Sequence, residues 1–375
     1  MKLSPVLCFA AIHLLLSSCS GNGKKSTQTE AGDTLTSESS LLTLVDHGDY
    51  VTADIADPWN KDKKLAAYVL VPATSGQVDV PEGYTVIKTP VNSAAVFSSV
   101  HSSALEELGR GDVITAVADA SYFTSPTIRN GLESGKICDV GNSMSPSLER
   151  LVEVSPQIML VSPYQNSDHC AIAKAGIIVV PMADYKEDTP LGRAEWILFE
   201  GALTGRLDSA RAIYQRVVHD YETIRRRAEK LVDAKRPLVL TDMEYSGQWA
   251  QPAGGSYAAR MIADAGGRVI FDDNRSTGSV SGDYAVVYDR GRDADFWLIR
   301  SFGPLSRGDV VSANRLNADM RPMSSGKVYY TDTSASGYYE DIAFHPERIL
   351  ADYLRILHPE LCPEHTELRY FKVLQ

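Results

Sequence analysis

From Tyr84 onward one pattern recurs: a short apolar run, a polar loop, then an amphipathic stretch. Ala94–Phe97 and Val113–Ala118 read as buried strands, with a helix at Ser102–Leu108 that stops at Gly109. Leu148–Val154 reads as a helix, with Pro146 near its start. Ile158–Val161 and Ile177–Val180 read as strands around a helix at His169–Ala175. Such alternation predicts an α/β layer with a mainly parallel sheet. The pattern then changes. Leu191 to Gly205 is helical, and Leu207, Ala210, Tyr214, Val217, Tyr221, Ile224, Ala228 and Leu231 form one apolar stripe at steps of three and four. After Pro237 the α/β pattern resumes: strands at Leu238–Leu240, Val269–Phe271, Phe296–Ile299 and Val328–Tyr330, a helix at Tyr257–Ala265 closed by Gly266–Gly267, and a last helix from Pro346 to before His358–Pro359. Ahead of all this, the β-like runs Leu41–Val45 and Ala66–Val71 read as a small extension. The predicted fold is α/β: two α/β lobes with mainly parallel sheets joined by a long α-helix, plus a small N-terminal β extension.

The first residues carry a different message. Lys2 precedes an apolar stretch, Val6–Leu16, too short to span a bilayer, and Leu16-Ser17-Ser18-Cys19 matches a lipobox. The expectation is a lipoprotein signal peptide over residues 1–18, with acyl chains on Cys19 anchoring the mature chain to a membrane; the plainer alternative is an ordinary secretion signal with a chance cysteine. Residues 19–40, rich in Ser, Thr, Gly, Lys and Glu, read as a flexible tether. The remaining boundaries are 41–83 for the β extension, 84–188 for the first lobe, 189–233 for the connecting helical region and 234–375 for the second lobe. Ser20–Lys25 has no acidic run of the kind that sends some lipoproteins to the cell surface, so the expected location is the cell envelope, facing the periplasm.

Charge and cysteines narrow the classes. The net charge is −11, and cleavage would remove Lys2 and leave −12. An acidic exterior argues against nucleic acid as a partner. Cys138, Cys170 and Cys362 allow at most one disulfide plus a thiol, and they lack metal-ligand spacing. Gly141-Asn142-Ser143-Met144-Ser145 fails the nucleophile-elbow pattern at its last position, and neither H-E-x-x-H nor G-x-x-x-x-G-K occurs. No catalytic residue and no metal site is assigned.

The loops after the strands stand out, because open α/β sheets bind ligands at strand C-termini. They carry Ser98-Ser99-Val100-His101, Tyr122-Phe123, Ser162-Pro163-Tyr164-Gln165 and Met182-Ala183-Asp184-Tyr185 in the first lobe, then Asp242 through Trp249 and Arg300-Ser301-Phe302 in the second. The candidate ligand-binding residues are Ser99, His101, Tyr122, Tyr164, Tyr185, Tyr245, Trp249 and Arg300. Trp249, flanked by Gly247, Gln248, Pro252 and Gly254–Gly255, reads as a loop residue with little to bury it, whereas Trp196 and Trp297 read as core. Singly, an aromatic after a strand often lids its own core, and a histidine such as His101 often caps a helix or sits in the core; repetition over six loops favours a pocket.

Four segments carry a family likeness. They are Val96–Ser99 with Ala104–Gly109; Pro146–Val152 with Ser155–Val161; Gly255–Tyr257 with Ala265–Gly267; and Val328–Tyr330 through His345–Leu350. In this order and spacing the chain resembles the periplasmic substrate-binding proteins that deliver ferric siderophores, haem or cobalamin to ABC importers. The resemblance implies a rigid bridging helix, small closure motions, and capture and delivery without chemistry. It also implies an ABC permease dimer with its ATPase as partner, a monomeric protein, and no cofactor beyond the bound chelate, corrinoid or haem. Arg300 would meet a ligand carboxylate or phosphate, and His101, Tyr164 or Tyr245 would offer an axial ligand to haem. In that family one surface carboxylate per lobe docks on the permease. The matching positions here are Ser103 and Ala263, so Glu106, Glu107 and Asp264 beside them become the docking candidates. A lipid-anchored α/β hydrolase and a scaffold lipoprotein without a small ligand are the alternatives.

Overall fold

Apolar strands that alternate with helices must be covered on both faces, and two five-stranded sheets in this chain meet that demand. The computed structural model describes residues 32–60, 62–167, 169–231, 235–362 and 367–375. The signal segment and Cys19 lie outside the described residues.

The extension is larger than the two expected strands. Strands β1 (Asp33–Thr34), β2 (Leu42–Asp46), β3 (Val51–Ala56), β4 (Lys64–Pro72) and β5 (Thr85–Thr89) form a sheet in chain order. Its pairs are antiparallel except β4 with β5. Leu42, Leu44, Ala53, Ile55, Leu70 and Ile87 are buried in one cluster with Trp196 and Phe199. Residues 33–40, expected as tether, are folded. The backbone N–H groups of Ser37, Glu38 and Ser39 donate to the carboxylate of Glu195 at 2.9, 2.9 and 2.8 Å. Those of Ser40 and Leu41 donate to Glu187 at 2.9 and 3.1 Å. Composition suggested a segment unable to bury a core, but this one is held by polar partners far along the chain.

In the first lobe, β6 (Ala94–Val96), β7 (Ile114–Val117) and β8 (Cys138–Asp139) precede a small antiparallel ribbon of β9 (Gly141–Asn142) and β10 (Ser145–Pro146); β11 (Ile158–Val161) and β12 (Ile178–Pro181) follow. The sheet order is β12-β11-β6-β7-β8, all parallel. Helix Ser99–Glu107 starts where the Ser98 side chain accepts the N–H of Val100.

The connecting region is three helices, Pro190–Ala194, Ile197–Thr204 and Leu207–Ala228, not one unbroken rod. Gly205, at φ 70°, makes the turn between the last two. Gly201 lets them approach closely, because a Cβ there would fall 2.5 Å from that of Ala210. The apolar stripe of the 22-residue helix buries Ala210, Tyr214 and Val217 toward the first lobe's core and Tyr221 and Ala228 in the second lobe's. One helix thus serves two cores.

The second lobe comprises β13 (Leu238–Thr241), β14 (Trp249–Pro252), β15 (Arg268–Val269), β16 (Ser279–Gly282), β17 (Phe296–Ser301), β18 (Val328–Asp332) and β19 (Lys372–Val373). Its sheet order is β15-β13-β17-β18-β19, parallel but for β19. β14 and β16 pair outside it as an antiparallel ribbon. Helix Pro346–Leu357 packs against the long bridging helix.

Glu187→Ala removes the acceptor for two backbone N–H groups and for the Trp196 indole, which donates at 2.9 Å. Urea unfolding should show a loss of about 3 kcal/mol, with faster proteolysis within residues 33–41. An unchanged midpoint would mean that these bonds form equally well with water.

Candidate functional site

The C-terminal ends of both parallel sheets face one cleft, since the loops after β6, β7, β17 and β18 line a common cavity of about 280 Å³. Ser99, Tyr122 and Phe123 line it from the first lobe; Phe302, Thr333 and Tyr339 line it from the second. Tyr122 and Phe302 are 58% and 67% exposed, yet their rings meet edge to face across the lobes at 5.8 Å. Beside them Thr124 Oγ1 donates to Glu340 at 2.6 Å, also between lobes. Asp119 after β7 and Asp242 after β13 both adopt left-handed backbone, at φ 51° and 52°. Asp tolerates that conformation better than most residues, and it turns the chain sharply at equivalent edges of the two sheets.

A second, more polar compartment of about 370 Å³ also spans the lobes. Tyr185 and Arg300 both line it. The Tyr185 hydroxyl donates to the Pro163 carbonyl. Arg300 donates from Nε to Asp242 at 2.9 Å and from Nη2 to the other carboxylate oxygen. The Asp242 charge holds the guanidinium well above its ordinary range, so it stays cationic. Tyr164 and Tyr245 are exposed, Tyr245 at 83%, and neither lines these two compartments.

Two expectations need correction. Trp249 is 1% exposed, not a loop residue open to the cleft. It begins β14, donates from Nε1 to the Thr241 carbonyl at 3.0 Å, and packs on Tyr284 and Trp297 at 5.5 and 5.7 Å. Pairing of β14 with β16 supplies the cover that the local glycines and proline concealed. His101 is fully buried, contacts Asp184 at 3.0 Å and lines neither compartment. Asp184 also takes Arg193 Nε at 3.0 Å; burial opposes its ionisation, but Arg193 and His101 together hold its pKa below the ordinary value. Trp196 and Trp297 are core, as expected.

Glu106, Glu107 and Asp264, the carboxylates expected to dock, each have an internal partner. Glu106 accepts from Ser125 Oγ at 2.6 Å and Asp264 from the Tyr221 hydroxyl at 2.7 Å. Glu107 meets His345 Nε2 at 2.6 Å, while His345 Nδ1 meets Glu347 at 2.9 Å. Burial alone would lower the His345 pKa; its hydrogen bonds to Glu107 and Glu347 outweigh burial and push it up to about 9. The imidazolium therefore latches the first lobe's opening helix to the start of helix Pro346–Leu357.

Phe302 belongs to a loop the sequence marks as lining the cleft but is not among the eight single candidates, and Thr333 and Tyr339 are not marked at all. The signal for Phe302 and Thr333 was the one applied elsewhere, a polar or aromatic residue directly after a sheet strand, here β17 and β18. Tyr339 follows no strand directly and had no such marker.

Residues 94–335 match the sequence model of the family described as "Periplasmic binding protein". An uncharacterized lipoprotein of Methanocaldococcus jannaschii is 28% identical over 294 residues, covering 74% of this chain and 68% of its own length. A second uncharacterized lipoprotein of that organism is 24% identical over 358 residues, covering 93% and 89%. Among solved structures, a periplasmic binding protein from Veillonella parvula matches with a TM-score of 0.62 at 14% identity, over 83% of this chain and 99% of its own. The triscatecholate siderophore binding protein of Bacillus subtilis, complexed with ferri-bacillibactin, matches at 0.55 and 15% identity, over 72% and 94%. At such identities the structures speak for the fold.

Two outcomes follow from this geometry. Trp249→Ala should cost about 4 kcal/mol of stability in urea unfolding; a stably folded variant would refute the core role. The His345 latch contributes stability fully below pH 6.5, its ordinary pKa, and loses it as pH rises through about 9. Thermal unfolding scanned over that window should show the loss in the native protein, and His345→Gln should flatten it. A native curve already flat from pH 6.5 to 9 would sink the latch.

Proposed function

The chain belongs to the periplasmic binding protein family, and on that premise we propose that it is the lipid-anchored solute-binding component of an ABC importer for a metal chelate or corrinoid. Members of this family bind small-molecule solutes and serve ABC permeases. The finer reading rests on one observation: exposed aromatic rings from both lobes, Tyr122 and Phe302, meet across the cleft at the strand C-termini. Rings so placed cover flat or apolar ligand faces, each contributing on the order of 1 kcal/mol.

The cleft cavity of about 280 Å³ lies at the small end of ligand pockets. A bulky chelate enters once the Tyr122–Phe302 and Thr124–Glu340 contacts part, and it takes their place between the lobes. Ser99 and Tyr122 on one wall, and Tyr185 and Arg300 in the polar compartment, are the contacts proposed from the original set. His101 is enclosed and Tyr164 and Tyr245 stand outside both compartments, so none of the three is proposed as an axial ligand to haem. Anchoring through Cys19, supported by the lipobox and by lipoprotein relatives, would keep the body near its importer on the periplasmic side. Of the docking carboxylates, Glu107 remains on the surface despite its bond to His345; Glu106 and Asp264 are the less accessible pair.

Native mass spectrometry and calorimetric titration against ferric siderophores, haem, cobalamin and cobinamide test this reading. One class should bind, and Tyr122→Ala with Phe302→Ala should weaken it by about 2 kcal/mol, roughly thirtyfold. Binding of none of these, or full affinity in the double variant, would overturn the assignment of the cleft.

A further inference from the structure

We propose that the polar compartment beside Trp59 is an anion subsite, built jointly by the β extension and both lobes, and that it selects chelates carrying negative charge. The inference rests on the solute-binding reading above and adds the charge class of the ligand. It also assigns a binding role to the extension, which lies ahead of the family-matched residues 94–335.

The extension's share of the compartment comes from the turn between β3 and β4. There Asp57 Oδ1 accepts the N–H groups of Trp59 at 2.8 Å and Asn60 at 3.1 Å. That side-chain turn mimics a backbone turn and presents Pro58 and Trp59 to the compartment, which they line with Tyr185, Lys186, Tyr257 and Arg300. The Lys186 ammonium lies 5.6 Å from the Trp59 ring centroid and 5.1 Å from that of Tyr185. Two ring faces attract and position the cation, but neither neutralises it, and Lys186 has no carboxylate partner among the described residues. Of the acids nearest in sequence, Asp184 is spent on His101 and Arg193 and Glu187 on residues 39–41 and Trp196, while the exposed Asp188 neither pairs with Lys186 nor lines the compartment.

The facing wall adds further donors. Asp242 balances Arg300 and engages Nε and Nη2, leaving Nη1 without a protein acceptor among the described residues. The eight-residue helix Tyr257–Asp264 begins at this wall. The side chain of its cap residue Ser256 accepts the N–H of Ala259 and the Ser256 carbonyl that of Arg260, and those of Tyr257 and Ala258 have no protein acceptor among the described residues. Ser256, Thr277 and Ser279 line the same space. A surplus cation, a spare guanidinium N–H and helix-start amides around one cavity form a donor-rich site that suits carboxylate, phenolate or phosphate oxygens. In a chain of net charge −11, such a spot also gives an anionic solute a local attraction that the surface as a whole does not.

Calorimetric titration of the full-length protein with two chelates decides the matter: a trianionic ferric tris-catecholate and an uncharged ferric tris-hydroxamate. The trianion should bind more tightly, and its affinity should fall with added salt. Lys186→Met should weaken it about tenfold, the loss of one charge-assisted contact, and remove part of the salt dependence. Lys186→Arg should keep it. Trp59→Ala should weaken it to a similar degree; should that variant unfold, the exposed Lys186 pair still decides. Equal or tighter binding of the uncharged chelate would overturn the anion subsite while leaving the solute-binding reading intact. Wild-type affinity for the trianion in Lys186→Met would do the same. Failure of both chelates, and of haem and cobalamin, would remove the two readings together.

Discussion

Three buried carboxylates between Asp184 and Glu195 tie the rest of this protein together. Asp184 holds His101 of the first lobe and Arg193 of the connecting region. Arg193 in turn donates to the Tyr257 hydroxyl of the second lobe at 3.0 Å and lies over its ring. Glu187 and Glu195 collect the backbone N–H groups of Ser37–Leu41 and so fix where the β extension begins. Buried charges are costly unless every oxygen is satisfied. Here Asp184 is satisfied by the first lobe and the connecting region, and Glu187 and Glu195 by the start of the extension, so their satisfaction, with the Arg193–Tyr257 bond, ties extension, first lobe and second lobe into one arrangement.

That constraint shapes the cleft. The long helix serves both cores, and Arg193 on the preceding helix Pro190–Ala194 adds a second link to the second lobe, an arrangement that favours small changes at the open edge over a wide hinge. At that edge the contacts are of a weaker kind, an exposed aromatic pair and a threonine–carboxylate bond, while the histidine latch lies beside the bridging helix. Strong buried linkages behind and lighter contacts in front suit a body that must part slightly, admit a solute and close on it. The polar compartment extends the same logic to charge, because it draws one wall from each lobe and a third from the extension.

Much of the fold was legible in the sequence because strand and helix periods are local properties. The apolar runs at Ile158–Val161 and Phe296–Ile299, the stripe on Leu207–Ala228 and the rule that ligands gather at strand C-termini led to the two lobes and to Tyr122, Ser99, Tyr185 and Arg300 along their cleft. The same rule, applied to every strand, reaches Phe302 and Thr333. It does not reach Trp59, which comes from a turn outside the lobes. Composition also failed at residues 33–40, where serines and threonines read as tether although carboxylates more than a hundred residues away fold them.

The sequence by itself determined the order of strands and helices, the export pattern ahead of them and the chemical character of the loops, since each depends only on residues near one another in the chain. Tertiary structure alone decided which loop side chains are buried and which stand open to the cleft. Trp249 looks exposed until β16 pairs with β14, and His101 looks available until Asp184 claims it. Tyr122 gains its partner Phe302 only when the lobes meet. Burial and charge pairing are settled by whatever part of the chain arrives from a distance, and no local pattern records that arrival.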